Sequence, residues 1–190
     1  MRSLQPKTSD PVGWSVLDSR KVFEAGDRLR VLRQTISLPD SRIVDDYYQI
    51  DLPSFASIYA VTDQDEVLIL QQYKHGVGQT CLTLPGGQID ACEDPEFSAR
   101  RELLEETGYG GGKWVAAPTM VLHGNQKIAK SHVFIASHVI KLCEANSGDL
   151  ETSTLLTVPR KEVKRSMLNG KTPIASHVAA IGLAEMYLAD

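Results

Sequence analysis

The chain lacks any run of the roughly 18 to 20 apolar residues that a bilayer span requires, so a membrane role is excluded at the outset. Cysteine is scarce. Cys81, Cys92 and Cys143 are odd in number and lie at least eleven positions apart, which leaves neither a CxxC metal knuckle nor a paired disulfide framework. Inert or buried thiols are the expectation. Positive charge is in deficit too: 20 Lys and Arg stand against 24 Asp and Glu, for a net charge of −4. A broad nucleic-acid footprint needs clustered cations. The basic stretch from Pro159 to Arg165 is interrupted by Glu162 and reads as the solvated face of a helix. His75, His123, His132, His138 and His177 show no HxxxH or HExxH spacing, which argues against zinc. Met1 to Pro11 is polar and lacks the apolar core of a secretory signal, so a frayed terminus and a cytoplasmic protein are expected.

What is present is the make-up of a soluble globular protein, 42% hydrophobic and 23% charged, and long enough for one full core with a small appendage. Strand-like patterning fills the region from Trp14 to Gln79. Leu29 to Ile36 and Tyr47 to Leu52 flank a turn at Pro39-Asp40-Ser41 and suggest a meander. Ala56 to Val61 and Val67 to Leu70 are apolar runs joined by a polar turn, which predicts a hairpin buried on both faces. Asp94 as N-cap, Pro95 at the first helical position and Gly108 as a left-handed stop bound a helix. Strands are expected at Val115 to Leu122, His132 to Ile140 and Leu155 to Val158, then helices at Arg160 to Leu168 and Pro173 to Leu188. No repeat is visible.

The bounded helix carries the chemistry. Glu102, Glu105 and Glu106 fall within an arc of about 100° on a helical wheel, with Phe97, Ala99, Leu103 and Leu104 expected to face a core. Arg100 lands in the apolar sector, and its stem is expected to lie along the surface. Like charges at i, i+3 and i+4 near a helix C-terminus cost a few tenths of a kcal/mol per pair, and a bound cation removes that repulsion. Carboxylates are hard ligands suited to Mg2+ or Mn2+ shared with phosphate. Gly86 and Gly87, just upstream, let backbone approach a ligand closely. The competing reading is a solvated acidic helix with Arg101 paired to Glu105 at i, i+4.

Gly87, Glu93 and Arg101-Glu102-Leu103-Leu104-Glu105-Glu106-Thr107-Gly108-Tyr109 follow a strand and a Gly-Gly turn in a pattern that resembles the Nudix box. Tyr109, in place of a bulky aliphatic residue, is its one departure. The similarity runs from about Val12 to Leu188, closest to the ADP-ribose pyrophosphatase-like branch, with Gln72-Tyr73-Lys74, Leu84 to Gly87 and His132 to Ala136 as weaker supporting phrases. The resemblance implies an α/β fold: a Nudix-type α/β/α sandwich with a mixed β-sheet, plus N-terminal antiparallel strands. It implies a strand region over residues 12–52 that can serve dimerisation and a catalytic domain over 53–190.

It further implies hydrolysis of a nucleoside diphosphate linked to another moiety, ADP-ribose or another nucleotide sugar, by a homodimer acting on a small-molecule nucleotide. Glu102 and Glu106 would be the main metal ligands, Glu105 joining directly or through water and the Gly86 carbonyl completing the shell. Glu93 and Arg101 would brace the loop and helix. In similar enzymes the general base is often a glutamate well after the box, which makes Glu151 the preferred candidate and Asp149 the alternative. Gly87, Arg33, Arg42 and His123 are candidate substrate contacts, the arginines being equally readable as strand-edge charges. Thr83 stands where those relatives usually carry Glu, and Gly124-Asn125-Gln126 where a proline is expected, so the leaving group is open. Hydrolysis of a nucleoside triphosphate or dinucleoside polyphosphate, or non-catalytic nucleotide sensing, are the alternatives.

Overall fold

The Asp94 carboxylate accepts hydrogen bonds from the amides of Glu96 and Phe97 at 3.0 Å each, Pro95 fills the first turn, and Gly108 closes the helix at φ 72°. Capping chemistry therefore sets both ends of α1 (Pro95–Thr107). The computed structural model describes residues 13–148 and 152–189. The expected frayed terminus, Asp149 and Glu151 lie outside the described residues. Among the described residues, no helix is long and apolar enough to cross a membrane.

The described residues form two compact units, one from residues up to Leu52 with His123–Ile128, the other from Pro53–Leu122 with residues from Ala129 on. In the first, β1 (Ser15–Glu24), β2 (Arg30–Ser37) and β3 (Ile43–Asp51) form an antiparallel meander. Register shifts interrupt the β1–β2 ladder between Val16 and Asp18 and between Lys21 and Phe23. Tyr47 donates to the Asn125 carbonyl at 2.8 Å, and Lys127 pairs with Asp51 at 2.6 Å, so the 123–128 segment is fastened to β3. Every residue of β1 is exposed.

In the second unit, β4 (Phe55–Val61) and β5 (Glu66–Lys74) meet at the expected turn, with Val61 opposite Val67. From Ser131 to Ser137, β10 (Lys127–Ser137) runs parallel to β4. Both β6 (Gln79–Thr83) and β12 (Ser153–Pro159) pair antiparallel with β5, and β8 (Lys113–Ala116) pairs antiparallel with β10, so the sheet is mixed. The single strand expected over Val115 to Leu122 is two, β8 and β9 (Met120–His123), because Pro118 between them has no amide to give a ladder. A two-residue ladder joins β7 (Tyr109–Gly110) to β11 (Ile140–Lys141). Two helices close the chain, α2 (Arg160–Leu168) and α3 (Ala175–Tyr187).

Alternation along the strands builds two cores. Tyr59, Val61, Val67, Ile69, Val133 and Ile135 pack with Val163 of α2 and with Ala180, Ile181 and Ala184 of α3. On the other face Ala56, Ile58, Ala60, Leu68, Phe134 and Ala136 pack with Ala99 and Leu103 of α1. Helices thus cover both faces, an α/β/α sandwich. Tyr59 donates its hydroxyl to Glu185 of α3, which also takes Arg160 at 2.8 Å and Lys164 at 2.7 Å. Burial pushes the Glu185 carboxyl up, but hydrogen bonds from Arg160, Lys164 and Tyr59 outweigh it and hold the group at about 2.

The expected faces of α1 need correcting. Phe97 and Leu104 are exposed, at 64% and 38%, while the buried arc runs through Ser98, Ala99, Leu103, Glu106 and Thr107. Positions 99, 103 and 106 share one face at helical spacing, and that face carries Glu106 into the edge of the core. Arg100 stays at the surface as expected, its side chain 45% exposed, with the guanidinium paired to Glu96 at 2.6 Å and 4.4 Å from the Trp114 ring centroid.

Candidate active site

The turn after β6 is pinned from several directions. Ile58 donates to the Pro85 carbonyl and Ala56 to the Gly87 carbonyl, both at 2.9 Å. The carbonyl of Gly86, between them in sequence, takes part in neither bond. The Gly86 amide donates to Glu106 Oε2 at 2.6 Å. Gly86 has φ 146°, and a Cβ there would sit 2.1 Å from the Ala56 carbonyl oxygen, so this position requires glycine. A Cβ on Gly87 would sit 2.5 to 2.6 Å from the Glu102 carboxylate. Glu102 and Glu106, one helical turn apart, therefore both reach the same two-glycine turn.

Arg101 organises the remaining acids. Its guanidinium meets Glu93 at 3.0 Å, Glu102 at 2.8 Å and Glu105 at 3.0 Å, and donates to Ser98 Oγ at 3.2 Å. Glu93 also accepts from the Asp90 amide at 3.1 Å, which ties the loop before α1 to the helix. The hydrogen bond from Arg101 holds the Glu93 carboxyl at about 2, and the same carboxylate raises the Arg101 guanidinium above its ordinary value. The i, i+4 pair between Arg101 and Glu105 is present, as the solvated-helix reading expects, yet it exists beside the acid-lined glycine turn.

Among the described residues no three His, Cys, Asp or Glu side chains stand together as a metal-holding group. Glu105 is directed to Arg101, and its side chain is 41% exposed. The donor set nevertheless fits a hard cation: carboxylate oxygens of Glu102 and Glu106 meet at one turn beside a backbone carbonyl. Glu106, 9% exposed, is the more enclosed of the two.

Three of the other expected site residues, His123, Arg42 and Arg33, belong to the first unit. There, His123 Nδ1 accepts from the amides of Asn125 and Gln126 at 3.3 and 3.2 Å, capping its own turn. Arg42 pairs with Asp40 at 2.6 Å and is 74% exposed. Arg33 Nε is buried and has no hydrogen-bond partner among the described residues. Asp149 and Glu151 lie outside the described residues, but Asn146, shortly before them, donates its amide to the Glu105 carbonyl at 2.7 Å.

Two features had no signal in the sequence pattern. Thr83 is buried and accepts from Gln72 Nε2 at 2.7 Å, and register with Leu70 and Leu155 puts this pair on the sheet face that α1 covers. His177 of α3 accepts the Leu84 amide on Nδ1 at 3.1 Å across 93 positions of sequence. Burial pushes the His177 imidazole down to about 4, with Lys74 adding to the effect.

A model of the NUDIX domain matches residues 52–161, more than half of the chain. An ADP-ribose pyrophosphatase of Bacillus subtilis (strain 168) is 26% identical over 149 residues, covering 78% of this chain and 75% of that protein. An ADP-ribose pyrophosphatase of Saccharomyces cerevisiae is 45% identical over 56 residues, which cover 30% of this chain and 24% of that protein. The crystal structure of an ADP compounds hydrolase matches with a TM-score of 0.80 at 18% identity, covering 96% of this chain and 97% of that one, a likeness of fold.

Proposed function

The chain belongs to the Nudix family, and from that premise we propose that it hydrolyses the diphosphate of a nucleotide sugar, ADP-ribose foremost, with Mg2+ or Mn2+ held by Glu102, Glu106 and the Gly86 carbonyl. The carrying observation is that both carboxylates meet one glycine turn, Glu106 through the Gly86 amide and Glu102 over Gly87. The name of the Bacillus subtilis relative, an ADP-ribose pyrophosphatase, supports the choice of ADP-ribose. A divalent ion bound there supplies Lewis-acid polarisation of the phosphoryl oxygens and lowers the pKa of the attacking water.

This chain's own groups do the rest. Glu102 and Glu106 supply hard oxygen ligands, and Glu105 joins them directly or through water. Arg101 sets the direction of Glu102 and Glu105, and Glu93 anchors Arg101. Gly87, lacking a Cβ, leaves room for phosphate oxygens against the backbone. Glu151 takes the proton from the water that attacks phosphorus, with Asp149 as the alternative. Arg33, whose buried Nε has no hydrogen-bond partner among the described residues, and Arg42 are suited to substrate anions, and His123 to a nearby polar group. A homodimer is supported by β1, where Val16, Leu17, Val22 and Phe23 are 57, 58, 47 and 52% exposed and await a covering surface.

The test supplies ADP-ribose and GDP-mannose with Mg2+ and looks for AMP or GMP. Product from ADP-ribose is expected. No product from either, with ATP and a dinucleoside polyphosphate also intact, rejects the reading, and a thermal shift without turnover selects the sensor instead. Glu106→Gln should lower kcat by at least about a hundredfold while the fold persists, because an amide oxygen can still accept from Gly86 but no longer carries charge.

A further inference from the structure

Leu84 is the first residue past the end of β6 and is 2% exposed. Its amide has no ladder left to join, and a buried amide without an acceptor costs free energy comparable to a lost hydrogen bond. The acceptor is His177 Nδ1, at 3.1 Å. On α3, His177 stands one turn before Ala180 and Ile181 and two turns before Ala184, in the stripe that packs against Leu84 and the sheet. A polar ring at the start of an apolar stripe is costly unless it is hydrogen-bonded, and here ring and amide satisfy each other. Neutral imidazole has one acceptor and one donor nitrogen, so accepting on Nδ1 places the proton on Nε2.

Two residues beyond Leu84 the same backbone turns at Gly86 toward Glu106. The backbone bonds from Ala56 and Ile58 and the Glu106 carboxylate anchor the turn to β4 and α1, whereas His177 ties it to the opposite layer of the sandwich. We propose that His177 is a positioning residue for the reaction: its bond to Leu84 fixes the direction in which the Gly86-Gly87 backbone faces Glu102 and Glu106. The proposal rests on the reading of that turn as the metal and diphosphate site. Groups that orient a metal site from outside it are typically worth about 10- to 100-fold in affinity or activity when removed.

The test compares His177→Leu, which removes the acceptor, with His177→Asn, whose Oδ1 falls near the place of Nδ1, and His177→Gln, whose oxygen reaches toward Nε2. Mn2+ affinity by electron paramagnetic resonance is measured beside kcat and KM for ADP-ribose. His177→Leu is expected to lose about tenfold or more in both kcat and Mn2+ affinity with KM changed less, and His177→Asn to recover to within about threefold of wild type. Wild-type kcat and Mn2+ affinity in His177→Leu overturn the proposal, as does a folded His177→Asn no better than His177→Leu. Should His177→Leu not fold, equal activity of the Asn and Gln variants overturns it instead. Long-range 1H–15N spectra of the wild type separate the two ideas. An Nδ1–H tautomer at His177 overturns the positioning role by itself, whereas a protein that binds no Mn2+ and cleaves nothing, with the Nε2–H tautomer in place, sinks the functional reading and the purpose given to His177 with it.

Discussion

The Glu102 carboxylate fills the space that a side chain on Gly87 would need, its Cδ 2.5 Å from where a Cβ would stand. The obstructing atoms are the far end of a flexible side chain, so Gly87→Ala can be accommodated by swinging Glu102 aside. Folding should survive and the proposed ligand should be displaced. The expected outcome is a melting temperature within a few degrees of wild type and a kcat lowered about a hundredfold. Gly86→Ala should behave oppositely. Its Cβ would meet the Ala56 backbone at 2.1 Å with φ at 146°, where nothing flexible can yield, and a loss of about 3 kcal/mol or more is expected in urea unfolding. Equal stability of the two variants would refute the distinction.

Arg101 meets three carboxylates from one planar group, which an ammonium cannot reproduce. Arg101→Lys should therefore lower kcat and stability together, by about tenfold and about 1 to 2 kcal/mol. The pair also sets an acid limb. Glu93 titrates at about 2 in the fold against 4.5 for an unperturbed glutamate, so its contribution is present above pH 4.5 and is lost as pH falls from 4.5 toward 2. Urea midpoints of wild type and Glu93→Gln should converge over that window, and parallel curves would show that the bridge contributes nothing.

What was legible in the sequence was local. Asp94, Pro95 and Gly108 marked both ends of α1 because capping is decided within a turn of the helix. The β4–β5 hairpin was legible for the same reason, as was the placing of Glu102, Glu105 and Glu106 on adjacent turns. Pairings distant in the chain were not. Nothing in the apolar run of β10 says that it lies parallel to β4, and nothing near His177 points to Leu84. The wheel of α1 also misled. It shows which residues share a face but not which face the sheet takes, and the sheet takes the one with Glu106, leaving Phe97 and Leu104 outside.

The half-buried His177 gives the fold a second acid limb. His177 titrates at about 4 against 6.5 for a free imidazole, so above pH 6.5 it is neutral whether folded or unfolded and its bond to Leu84 is intact. As pH falls from 6.5 toward 4 the unfolded chain takes the proton first, and stability should decline by up to about 1.4 kcal/mol per pH unit. Below about 4 that loss is complete. His177→Asn, which keeps an acceptor but does not titrate, should show a flatter profile between pH 4 and 6.5. A variant as pH-sensitive as wild type there would place the titrating group elsewhere.

Tyr59 and Glu185 test how the sandwich is clamped on its other face. Tyr59 is fully buried in β4, and its hydroxyl donates to Glu185 of α3, which Arg160 and Lys164 also hold. In Tyr59→Phe the carboxylate keeps two cationic partners and no buried group is orphaned, so the cost should be about 1 kcal/mol. Glu185→Leu leaves Arg160 with Asp65 alone, and Tyr59 with a buried hydroxyl and no acceptor, so about 3 kcal/mol is expected. In the double variant the orphaned hydroxyl is gone, and the two losses should sum to less than their separate total by about 1 kcal/mol in a double-mutant cycle of urea unfolding. Strict additivity would mean that the hydroxyl and the carboxylate stabilise the fold independently, and that α3 is held to β4 by apolar packing alone.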